Sequence, residues 1–170
     1  MKRVILLLLC IFVCSSVFAV ANVGEYDIDD VSDIFAKSFI SYMKDGDYLE
    51  NYLMYGIYKS SRGSWILNLT DYSAYSDIFV TFNDGYVSIM RFAELDFSNN
   101  DLVSVLTAVN KENFDRANWG TLIYNNEDGD LVFSLRISSK KLSNATLKDQ
   151  LEMFISLSRI CFDNVKTALN

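Results

Sequence analysis

Apolar and polar residues along this chain fall into two periods, 3.6 and 2, and the switches between them mark the elements. Over 31–43, Val31, Ile34, Phe35, Phe39, Tyr42 and Met43 recur at helical spacing. Asp29 and Asp30 stand just before, where they would cap the helix and favour its positive end. Lys44 and Asp45-Gly46-Asp47 end it. The period then drops to two. Stretches 52–58, 64–69, 78–82 and 86–92 read as strands, and Asn83-Asp84-Gly85 joins the last two as a hairpin turn. Helical spacing returns at Leu102, Val105, Leu106 and Val109, with Ser98 as the expected cap and Asp101 three residues on. Asn110 and Asn113 fall at the expected helix end, where asparagine tolerates the left-handed conformation. Stretches 121–124 and 131–138 flank Asp128-Gly129 as a second hairpin.

In the second strand of that hairpin Leu131, Phe133, Leu135 and Ile137 face one way and Val132, Ser134, Arg136 and Ser138 the other. One buried and one wet face belong to an antiparallel sheet. From Thr146, with Asp149 three residues on, Leu147, Leu151, Phe154, Ile155, Cys161, Phe162, Val165 and Leu169 keep helical phase to the end. The order helix, strands, helix, hairpin, helix predicts an α+β fold: an antiparallel sheet with helices packed on one face.

The first 21 residues do not belong to that fold. Lys2 and Arg3 precede ten unbroken apolar residues, 4–13, followed by Ser15, Ser16 and the small-residue step Ala19-Val20-Ala21. A positive start, a short apolar middle and a small-residue site make a secretory signal peptide, cleaved after Ala19 or Ala21. Retention as an anchor is the rival, since 4–21 is close to the roughly 17 residues a spanning helix needs. The expected organisation is a signal peptide at 1–21 and one domain at 22–170, exported to the periplasm or outside the cell, with no membrane contact after cleavage.

Charge and composition narrow the chemistry. The chain carries −7, and loss of Lys2 and Arg3 takes it to −9. A net negative domain repels phosphate backbones, so nucleic acid is not an expected partner. The absence of histidine removes Ser-His-Asp and Cys-His catalysis and histidine-based metal sites. Cys10 and Cys14 leave with the leader, and Cys161 alone builds neither an internal disulfide nor a thiolate cage. No glycine-rich phosphate loop is present. Asp71 with Asp77, and Asp128 with Asp130, are the carboxylates that bracket turns, and turn roles account for them. Stretch 125–130 lacks the alternating ligands and closing glutamate of a calcium loop. The sequons at Asn68 and Asn144 matter only in a glycosylating compartment. No catalytic, metal or cofactor site is expected, and the protein is not expected to be an enzyme.

The positive signal is tyrosine. Seven of ten lie between Tyr42 and Tyr75. Tyrosine offers large contact area with a polar tip and is enriched at interfaces. Tyr55, expected on one strand face with Leu53 and Ile57, and the loop residues Tyr72 and Tyr75 are the candidate partner-binding residues; Tyr52 and Tyr58 read as ordinary sheet residues.

From Leu102 onward the chain resembles the YbjN family, the bacterial sensory transduction regulator domains. The resemblance is carried by Val109-Asn110-Lys111-Glu112-Asn113-Phe114, the 121–124 strand, the Asp128-Gly129 turn, the 131–138 strand and the helix opened by Asn144-Ala145-Thr146-Leu147. It implies the fold of type III secretion chaperones, often dimeric, and binding rather than catalysis. Asn110 and Asn113 carry over as fold-signature positions. The function expected is a non-enzymatic protein-binding module, chaperone-like or a regulatory adaptor, with an unidentified protein partner and a homodimer as a further expectation. An acidic inhibitor or immunity-type protein against a basic toxin, or a small-ligand-binding domain, are the alternatives. N-terminal sequencing of the exported protein is expected to begin at Val20 or Asn22.

Overall fold

The computed structural model describes residues 26–72, 76–93, 97, 100–116, 119–125 and 129–169, so the expected leader and Tyr75 lie outside the described residues. Among the described residues three α-helices, α1 (Ile34–Asp45), α2 (Leu102–Asp115) and α3 (Asn144–Leu169), and six strands alternate in the expected order. The strands are β1 (Met54–Lys59), β2 (Trp65–Thr70), β3 (Ile78–Asn83), β4 (Tyr86–Ala93), β5 (Thr121–Asn125) and β6 (Asp130–Ser138). They form one antiparallel sheet in the order β1-β2-β3-β4-β6-β5, so the class is α+β. Gly85 and Gly129, both at φ 77°, turn the two hairpins in the left-handed conformation their Asp-Gly pairs announce.

Alternation decides which face is covered. Leu67, Leu69, Ile78, Val80, Val87, Ile89, Leu131 and Phe133 point to the helices and are buried. The long α3 lays Leu147, Leu151, Phe154, Cys161, Phe162 and Val165 over them. Each such side chain removed from water contributes about 1.5–3 kcal/mol, which is what holds the two layers together. Against this apolar face lies one charge. Arg91, inward by the same alternation, is fully buried, with Nη2 2.7 Å from Asp71 Oδ2 and Nη1 donating to Ser158 Oγ at 3.3 Å.

The helix starts differ from those expected. Asp33, not Asp29 or Asp30, caps α1 by accepting from the Ala36 N–H at 2.7 Å; Asp29 and Asp30 form a preceding 3-10 turn. Asp101 is itself the cap of α2, accepting from the Ser104 N–H at 3.0 Å. Ser143 accepts from the Thr146 N–H at 3.1 Å, so α3 starts at Asn144. The buried edge of α2 is Val105, Val109 and Glu112, and Leu102 and Leu106 are each 42% exposed. The helix leans on α3 and β5 along the line of Glu112, which Arg116 Nε (3.2 Å) and Asn164 Nδ2 (3.1 Å) hold in place.

Asn110 and Asn113 lie inside α2 rather than at its end, and neither is left-handed. Asn110 is exposed. Asn113 binds the backbone of Leu122 twice. Its Oδ1 accepts from the Leu122 N–H at 2.7 Å and its Nδ2 donates to the Leu122 carbonyl at 2.8 Å. The side-chain amide thus pairs with the edge strand β5 as another strand would. Asn113→Ala is expected to cost about 1–2 kcal/mol, two hydrogen bonds exchanged for water at an edge. Denaturant midpoints and amide exchange check it, with Leu122 losing protection before the centre of the sheet.

Candidate partner-binding groove

Strand β1 is the other edge of the sheet, and its start is built to stay wet. The chain leaves α1 through Asp47, held left-handed at φ 58°, and makes a 3-10 turn, Tyr48–Asn51. Leu53, Met54 and Tyr55 follow at 57%, 64% and 38% exposure. The Leu53 N–H donates to the Thr70 carbonyl at 2.8 Å, which fixes these residues to the sheet while their side chains remain accessible.

Opposite them runs the lead-in to α1. The Tyr26 N–H donates to the Ile57 carbonyl at 2.9 Å. The Tyr26 ring meets Trp65 edge-on at 5.3 Å, and Trp65 Nε1 reaches Ser32 Oγ at 3.3 Å. Between lead-in, turn and strand opens a groove of about 1020 Å³. Leu49, Tyr52 and Ile57 form its buried apolar floor. Asp27, Asp29, Asp30, Asp45, Asp47 and Glu50 line it against one lysine, Lys44. Lys37 pairs with Asp29 at 3.2 Å, but both are solvated and the pair contributes little. The groove is acidic and apolar at once.

Tyr72, 70% exposed just past β2, sits at a different hollow of about 320 Å³ with Tyr48, Asp71, Glu152 and Arg159. The structure therefore does not bring Tyr55 and Tyr72 into one site, although the buried Tyr52 lines both hollows. Tyr52 was expected on a strand face; it ends the 3-10 turn instead, with its ring inside. Leu53 and Met54 as exposed residues, and the carboxylates of the α1 end as their neighbours, were not foreseen. The acidic run Asp27–Asp30 beside a tyrosine-rich stretch was the available signal.

Two of the carboxylates singled out as turn residues are tied into the fold, Asp71 to Arg91, and Asp77 to Asn68 Nδ2 (2.9 Å) and Thr70 Oγ1 (2.8 Å), while Asp128 lies outside the described residues. Among the described residues no group of three or more His, Cys, Asp or Glu is placed to hold a metal ion. None of the described helices is long and apolar enough to cross a membrane. Burial, followed by the nearby Glu112 carboxylate, raises the Cys161 thiol to about 11, which leaves it protonated and unreactive at neutral pH.

No family model matches the chain, and no curated protein does. Among solved structures, an uncharacterized protein from Methanothermobacter thermautotrophicus is similar, with a TM-score of 0.53 and 12% identity over 78% of this chain and 99% of that one. At that identity the likeness is one of fold.

Burial, and then the nearby Glu152 and Asp71 carboxylates, push the Tyr52 phenol up to about 12 from 10. The fold holds the neutral form, so this stabilisation is complete below pH 10 and is lost as pH rises through about 12. It amounts to roughly 2–3 kcal/mol. Denaturant unfolding at pH about 9 and about 11 is expected to show wild type losing more stability than Tyr52→Phe over that interval.

Proposed function

We propose that this chain is an exported, non-enzymatic protein-binding module, chaperone-like or adaptor-like in the manner of the YbjN family it resembles, which docks a segment of its partner in the groove beside β1. One observation carries the reading. Leu53, Met54 and Tyr55 stand exposed in a row along a groove with an apolar floor and six carboxylates on its walls. Exposed apolar residues gathered in a concave, charged setting mark a recognition surface more often than chance exposure does. Tyr55, the most exposed of the tyrosines on β1 and its lead-in that line the groove, is the anchor residue of the reading.

A second reading keeps the groove and gives charge the leading part: an acidic inhibitor that captures a basic toxin. The excess of six carboxylates over one lysine favours it. The two differ in salt response. A charge-led encounter slows steeply between about 0.15 M and about 1 M salt, whereas a complex led by apolar contact keeps most of its affinity.

Capture from an envelope fraction by the immobilised protein tests the site. A species retained by the wild type and by Tyr72→Ala, and lost with Leu53→Ala/Tyr55→Ala, is the expected result. Capture that survives the double substitution places the partner elsewhere and overturns the groove.

A further inference from the structure

Resting on the groove reading, we propose that the outer edge of β1 takes a basic, extended segment of the partner as a seventh strand. The backbone supports this before any side chain does. In an antiparallel ladder successive residues turn their N–H and C=O alternately toward one neighbour and the other. The Ile57 carbonyl is turned away from β2, because the Tyr26 N–H binds it from outside the sheet. The Tyr55 N–H and C=O, two residues back, share that outward side. This edge therefore already holds one strand-type bond from a passing chain, and the next outward pair faces the groove. Among the described residues no turn, loop or side chain occupies it. On the opposite edge Asn113 already takes both outward groups of Leu122.

Side chains select the occupant. Met54 and Tyr55, on opposite faces of β1, and Leu53 just before it offer apolar contact to an added strand. Asp27, Asp29 and Asp30 on one wall, and Asp45, Asp47 and Glu50 on the other, favour lysine or arginine between them. A second copy pairing edge to edge would bring the same carboxylates into the same groove, so like charge opposes it. Tyr26 at Ile57 stops the added strand at its far end, so the paired core is short, about three to five residues at 3.3 Å each.

The test uses the full chain and three synthetic peptides. The first alternates lysine and valine; the second replaces alternate residues by proline, which keeps the charge but removes backbone donors; the third has glutamate for lysine. The lysine-valine peptide is expected to bind at least tenfold more tightly than either of the others, and to slow amide exchange at Tyr55 at least tenfold. The exposed charge reversals Asp45→Lys and Glu50→Lys are expected to weaken it at least tenfold at low salt. Equal binding of the lysine-valine and proline peptides with Tyr55 unprotected overturns strand addition while the groove stands. Equal binding of the glutamate peptide overturns the basic partner. Binding by none of the three overturns strand addition, and the groove then stands or falls on the Leu53→Ala/Tyr55→Ala capture.

Discussion

A guanidinium sits where the core pattern would place a leucine. Arg91 follows Val87 and Ile89 on the inward face of β4, and no part of it reaches solvent. Its charge is met by Asp71, 2.7 Å away, and Ser158 faces it from α3. Such a pair adds little net stability over an apolar substitute, but removing one partner strands the other at a cost of about 3–5 kcal/mol. Its effect is on uniqueness. A one-residue slip of β4 would turn Arg91 to the outer face and break its 2.7 Å pair with Asp71. The pair thereby ties the middle of the sheet, the end of β2 and the long helix into one arrangement. The groove beside β1 inherits that arrangement, because Thr70, next to Asp71, receives the Leu53 N–H that sets where β1 begins.

The elements were legible because both periods are strong. The inward face of β6 could be named residue by residue, and Leu131 and Phe133 are buried as the alternation requires. Capping was legible only in kind. Asp29, Asp30 and Asp33 are chemically alike, and which one holds the helix N–H depends on where the lead-in crosses Trp65. The stripe of α2 misled for a related reason: periodicity shows which residues are apolar, and the contact line of α3 decides which of them are covered. Leu102 and Leu106 lost that contest to Glu112, whose carboxylate is acceptable inside because Arg116 and Asn164 meet it.

The groove was half legible. Clustered tyrosines pointed to the stretch of chain where the groove opens, and Tyr55 lines it. The cluster nevertheless divides between two hollows, because the chain turns sharply through Tyr48–Asn51 and then runs the length of β1 and β2 before reaching Tyr72. The carboxylates come from three places, the lead-in, the end of α1 and the turn, and only the fold gathers them. Arg91 could have been found from the strand pattern alone, as the odd residue in the series Val87, Ile89, Ala93.

Asn113 makes the two rims of the sheet unequal. A ribbon that can be lengthened at both ends is the seed of a fibre, since each newcomer offers a fresh end to the next. Here an amide occupies the Leu122 backbone on one rim, which leaves the β1 rim as the more open of the two. An amide at one rim hinders extension of the sheet on that side, and with it the two-ended growth a polymer needs.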